Sequence, residues 1–265
     1  MNADSLKSKV SKDEAKVAVT RFGPGNYRLD LLDNITETEP ITISCNIYLS
    51  LNGKTLSFDE PVTDATVSTT VAAITFSEGV YCVIDGEVSG STVTKICCHD
   101  ASIKTEYLIK STANRLDIIG GFYSMQSSSP YPEKSMIFGV SGEKPNMSEW
   151  TDSEKLEWSK ANKNSLPRLN VYGGSAEILG GGLVGVFFNT AAYVRCEGLV
   201  AEVSDVVSGR MIASGGCNYQ EFIDCNFKLE TKQADMVYVY YGSTGDNNTF
   251  VNSKMNMVVS TSEGD

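Results

Sequence analysis

The sequence predicts an all-β chain wound as a solenoid, in which short strands stack as about seven or more rungs. Three observations carry that prediction. Short β-rich runs, each broken by a sharp bend and followed by a second apolar run, recur along almost the whole chain: "NIYLSLNGKTLSF" (46–58), "GVYCVIDGEVSGS" (79–91), "NRLDIIGGFYSM" (114–125), "PRLNVYGGSAEIL" (167–179), "AYVRCEGLVAEV" (192–203), "NYQEFIDCNFKLE" (218–230) and "NNTFVNSKMNMVV" (247–259). The bend pairs are Asn52-Gly53, Asp85-Gly86, Gly120-Gly121, Gly173-Gly174, Glu197-Gly198, Asp224-Cys225 and Asn252-Ser253. Gly, Asn and Asp dominate there because a bend inside a strand needs left-handed dihedrals, which these residues reach at least cost. Finally, the spacing varies while the local pattern holds, from 24 residues between Gly174 and Gly198 to 53 between Gly121 and Gly174. A solenoid permits this, since strands must stack in register but the loops between them are free in length. A β-sandwich or jelly roll is the competing architecture, but its hairpin turns separate alternating strands and do not fall inside apolar runs.

Taken in order, residues 1–21 form an N-terminal capping or docking segment. Within it, 4–19 ("DSLKSKVSKDEAKVAV") reads as a short helix capped by Asp4 or Ser5, with Leu6, Val10, Ala15 and Val17 apolar. The solenoid domain spans 22–260. Further strands are expected between the bends, at 72–76, 106–109, 136–140, 183–188, 210–213 and 236–241, giving two or three strands per turn. Residues 141–165 ("SGEKPNMSEWTDSEKLEWSKANKNS") are an insertion of different composition. Thr151 with Glu154 forms a capping box there and opens a helix of about 12 residues. Both tryptophans, Trp150 and Trp158, lie in this insertion, and serve either to pin the helix to the rod or to contact a partner subunit or glycan. Residues 261–265 read as a polar tail.

Composition narrows the function classes. With 22 Lys plus Arg against 33 Asp plus Glu, the net charge is -11. No basic patch is available to neutralise phosphates, so neither nucleic acid nor an anionic membrane is expected as partner. No run is long enough for a membrane span. The first residues lack an apolar h-region, so synthesis in the cytoplasm without a signal peptide is expected, with a virion or the extracellular space reached only on release. The seven cysteines form no pair of CxxC motifs and His99 is the sole histidine. A zinc site is therefore not expected, no cofactor motif is present, and the cysteines read as reduced core thiols.

The runs "FIDCNF" (222–227), "FVNSKM" (250–255) and "LDIIGGFYS" (116–124) resemble those of right-handed parallel β-helix proteins of the pectin-lyase-like type. The entry segment 25–58 resembles the first coils of β-helix domains in bacteriophage virion and tail proteins and in surface proteins of gut bacteria. The resemblance covers roughly residues 22–260 and implies a single-stranded right-handed parallel β-helix. That fold hosts lyases, hydrolases, adhesins and inert rods alike. Of the series that marks polygalacturonase-like hydrolases, this chain lacks DD and HGH; pectate-lyase-like enzymes carry a carboxylate cluster with a basic residue on the same face. The nearest candidates for such chemistry are Glu197, Asp224 and Glu221, with Arg195 close in sequence. Stacked rungs would set Glu197 and Asp224 about 5 Å apart, the separation of a retaining glycosidase pair, though the same positions also suit turn geometry. In "MVYVYY" (236–241), valines inside would leave Tyr238 and Tyr240 side by side on the outer wall as a glycan platform.

The expected function is a non-enzymatic structural or adhesive part of a larger assembly such as a phage virion. Its partners would be other subunits, further copies of the chain, or a surface glycan. A polysaccharide lyase or glycoside hydrolase is the alternative, and a fragment of a homotrimeric tail spike a second.

Overall fold

The computed structural model describes residues 7–8, 10–11, 13–37, 39–58, 71–87, 94–99, 105–126, 135–180, 183–206, 208–231, 237–242 and 245–259. From Asn26 onward the chain coils through three sheets in strict rotation. The first sheet holds Asn26–Leu31, Asn46–Ser50, Tyr81–Gly86, Arg115–Gly120, Arg168–Tyr172, Tyr193–Glu197, Tyr219–Ile223 and Asn247–Val251, each parallel to the next. The second, eight-stranded sheet runs from Ile35–Glu37 to Lys254–Val259, and the third, seven-stranded sheet from Ile41–Ile43 to Val237–Tyr241. All six strands foreseen between the bends lie in the third sheet. Eight parallel strands at ladder spacing make a rod about 34 Å long.

The first and second sheets meet at the bend. Its leading position is a column of Gly86, Gly120, Gly173, Gly198, Asp224 and Asn252, fixed by Gly120↔Gly86 pairing and by hydrogen bonds from Gly173 N to Glu197 O, Gly198 N to Ile223 O and Asp224 N to Val251 O. From Gly120 onward every member has positive φ. Asp85 and Glu197 therefore belong to the strand before the bend, one residue earlier than the sequence reading placed them. Two adjacent rungs approach so closely here that a Cβ on Gly86 would lie 2.7 Å from Gly121 Cα.

Most buried apolar side chains of the three sheets join one core. In the third sheet the inward column is Ile41, Ile74, Ile109, Phe138, Phe187, Ile212 and Tyr240. Tyr123, Phe138, Phe187, Phe222 and Phe250 form an aromatic series along the axis, with successive centroids 5.2–5.6 Å apart. All seven cysteines are buried thiols, each acting as a small hydrophobe. The Tyr123 hydroxyl, by contrast, is buried and has no hydrogen-bond partner among the described residues. Tyr123→Phe removes that desolvated group at nearly constant shape, so it is expected to stabilise the fold by about 1 kcal/mol, read as a higher urea midpoint.

The two ends differ. At the start, Val17–Gly23 pairs antiparallel with Asn26–Leu31 and covers the edge of the first sheet, while Val10 and Val17 insert into the core at 2% exposure each. This corrects the reading of a helix over 4–19: among the described residues of that stretch Lys7, Ser8 and Val10 are helical, but Glu14–Lys16 is a single 3₁₀ turn, and Val17 opens a strand that crosses the expected boundary at residue 21. Asp4, Ser5, Leu6 and the tail 261–265 lie outside the described residues.

Candidate functional site

The outer wall of the first sheet gathers the charged and aromatic side chains that the ladder turns outward. Residues two apart on a strand share a face, and residues in register on neighbouring strands stand about 4.8 Å apart. Contacts within and between rungs recur along this wall. Arg28 forks onto Asp30 at 2.8–3.0 Å, and Arg115 does the same with Asp117. Asn170 donates to Asp117 at 2.6 Å from the next rung. Tyr48 donates a short hydrogen bond to Asp85. The densest group follows: Tyr193 Oη donates to Glu221 Oε2 at 2.6 Å, and Arg195 reaches Glu197 at 3.2 Å and Glu221 at 3.7 Å. Arg168 lies over the Tyr193 ring at 4.1 Å, which in turn stacks on Tyr219 at 5.5 Å.

This geometry separates the three carboxylates proposed from sequence. Glu197 pairs in register with Ile223, not Asp224. Asp224 sits at the corner with φ 52°, where its identity answers the bend, and the expected 5 Å pair of Glu197 and Asp224 is not formed. Glu197 and Glu221 do share one wall, with the Arg195 guanidinium reaching both.

The insertion forms one edge of the wall. Its helix, Asp152–Asn162, is capped as the sequence predicts: Thr151 N donates to Glu154 Oε2 at 2.7 Å and Glu154 N to Thr151 Oγ1 at 3.3 Å. Trp158 packs with Leu166, Ala191, Tyr193 and Tyr219 and so pins the helix to the rod. Ser159 is fully buried and donates to Gly245 O at 2.8 Å, tying the insertion to the last rung. Beside Trp158 opens a cleft of about 410 Å³ bordered by Glu78, Asn114 and Glu143. Trp150 is half-buried at the entry to the helix, its backbone N–H donating to Met147 O.

The Tyr238–Tyr240 platform does not form. Tyr240 is in register with Ile212, packs on the core and donates to Asp246 at 2.9 Å. Tyr238 is 41% exposed, and its ring neighbour is Tyr241 at 5.3 Å. Sequence reasoning missed Tyr193, Arg168, Asn170 and Asp117. Each was legible only after the rungs were aligned, because nothing within a single strand marks them.

Comparison with protein-family models, curated proteins and solved structures finds no match. The likeness to parallel β-helix proteins is therefore one of architecture. Among the described residues no group of three His, Cys, Asp or Glu is placed to hold a metal ion, and no helix is long and apolar enough to cross a membrane, which says nothing of strands.

Several phenols on this rod hold their protons strongly. The hydrogen bond to Asp85 pushes Tyr48 up to about 12. Burial, then the Glu221 contact, takes Tyr193 to about 12, and burial, then the nearby Glu106 charge, does the same for Tyr107. An unfolded tyrosine ionises near 10. Since the folded values lie higher, the stabilisation these groups supply is complete below pH ~10 and is lost as pH rises through ~12. Denaturation midpoints are expected to fall across that window, with tyrosinate absorbance appearing late in a pH titration; Tyr48→Phe should shallow the fall.

Proposed function

We propose that this chain is a non-enzymatic rod that holds its outer wall and inserted helix at fixed spacing for a partner, as a structural or adhesive part of a larger assembly. One observation carries the reading: the charged groups of the wall are engaged with one another. Asp117 takes Arg115 and Asn170, Glu221 takes Tyr193 and Arg195, and Glu197 takes Arg195. Such exposed pairs add about 0–1 kcal/mol each, so their regular repetition fixes the positions of the wall's side chains more than it stabilises the fold. A virion is the assembly suggested by the likeness of the entry segment 25–58 to phage β-helix coils.

A polysaccharide-cleaving enzyme is the second reading, favoured by the Tyr193–Glu221–Arg195–Glu197 cluster standing on an open wall. Incubation with acidic and neutral polysaccharides separates the two. The rod reading expects neither new reducing ends nor unsaturated uronates. Turnover that disappears in Glu221→Gln or Glu197→Gln would replace it with the enzymatic one.

A further inference from the structure

The inserted segment and the bend at 215–217 enclose a second recess, a pocket of about 360 Å³. Its charged lining consists of two lysines. Lys144 precedes the helix, and its ammonium donates to Gly215 O at 2.9 Å, which leaves two of its three N–H groups for a ligand. Lys155 lies one turn into the helix. Its side chain is 18% exposed, and its ion pair is a 3.7 Å contact to Asp152, whose own side chain is 78% exposed. Among the described residues no acidic side chain lines the pocket. Three acids of the surrounding elements are engaged elsewhere: Glu143 borders the Trp158 cleft, Glu154 closes the capping box, and Asp246 accepts from Tyr240 and Asn218. Asn146 and Ser148 add an exposed amide and an exposed hydroxyl to the lining, and Met147 and Cys217 are its buried members.

We propose that this pocket binds an anionic sugar unit, its oxyanion held by Lys144 and Lys155 and its hydroxyls by Asn146 and Ser148. Charge selects the oxyanion. On a chain of net charge -11, a recess whose charged groups are all positive concentrates anions locally. Two ammonium groups suit one carboxylate, phosphate ester or sulfate ester, and are too few for the run of phosphates in a nucleic acid. Size selects the sugar. The volume falls within the range of small-molecule sites, about 300–1,000 Å³, and is about twelve times the ~30 Å³ share of a water molecule, so a bare ion would leave most of it to solvent. A neutral amide and hydroxyl beside the charges can each donate and accept, as sugar hydroxyls require. The pocket shares no residue with the engaged wall of the first sheet, so this inference stands or falls separately from the rod reading.

Titration of the intact 265-residue chain, followed by amide nitrogen–proton spectra, tests it. Glucuronate and glucose 6-phosphate are the two anionic probes and separate a carboxylate from a phosphate ester; glucose and inorganic phosphate are the controls. The expected result is saturable, millimolar binding of at least one anionic sugar, with shifts centred on Ser148, Gly216 and Cys217, and none with glucose. Lys144→Gln should weaken it about tenfold or more, the effect of losing a hydrogen bond from a charged donor. Lys155→Met should do the same while keeping the stem, whose Cβ would meet one added at Gly245 at 2.6 Å. Asp152→Asn, which frees Lys155, should tighten binding by up to about fivefold, and Lys228→Gln, on the second sheet, should leave it unchanged. Should a pocket variant fail to fold, the unaltered chain decides by the location of its shifts. Shifts that never saturate, or that centre away from 144–155 and 215–217, overturn the proposal. So does inorganic phosphate binding as tightly as the anionic sugars, or a loss in Lys228→Gln equal to that in Lys144→Gln.

Discussion

Phe227→Asp is expected to abolish cooperative folding of the last rungs. Phe227 is fully buried, 5.7 Å from Phe222 edge to face, and is in register with Ala201 before it and Met255 after it. Loss of the ring alone costs about 3–5 kcal/mol. A carboxylate left without a partner in that site adds several more, against the 5–15 kcal/mol that holds a typical domain together. Each rung rests on its neighbours, so the damage spreads along the coil. Urea denaturation followed by circular dichroism, with amide exchange over 193–259, should show those rungs open while 26–126 keeps protection. An unchanged midpoint would mean that the register described here is wrong at this rung.

Gly174→Ala is expected to cost about 3 kcal/mol or more, and Gly173→Ala only about 1 kcal/mol. Both residues have positive φ, 69° at Gly173 and 82° at Gly174, so both variants pay the left-handed strain. A Cβ at Gly173 meets nothing within 4 Å, whereas one at Gly174 would lie 2.7 Å from Gly121 O and 2.8 Å from Gly120 O. Gly121 O cannot yield freely, since it accepts from Ser175 N at 2.9 Å. The difference between the two midpoints isolates the close approach of adjacent rungs from backbone strain. Equal losses would show that strain alone governs the bend.

Much of the coil could be read from residue order because its two determinants are local. Apolar runs such as Met136–Val140 and Arg210–Ala213 fall within third-sheet strands, and Gly120-Gly121 and Gly173-Gly174 mark corners. What was not legible depends on register. "DG" at 85–86 and "EG" at 197–198 look like bend pairs, but only the stacking of Glu197 beside Tyr172 and Ile223 shows that the acid stands on the wall. Alternation alone likewise favoured Val237 and Val239 as core residues. The column beneath places Tyr240 over Ile212, and an aromatic fits there because Phe250 and Asp246 receive its ring and hydroxyl. The opening strand was hidden because "AKVAV" suits helix and strand equally well. Antiparallel pairing with Asn26–Leu31, a contact made later in the chain, decides between them.

The corner that carries the inserted helix leaves the ladder on either side unbroken: Ser141 pairs with Thr190 and Arg168 with Arg115, with the whole excursion looped out between them. That corner is in effect a cassette site. Its cargo can change in length for a closure cost that grows only logarithmically, so the segment can be exchanged while the ladder is inherited intact, provided that the packing of Trp158 and the Ser159 contact with Gly245 are kept or replaced.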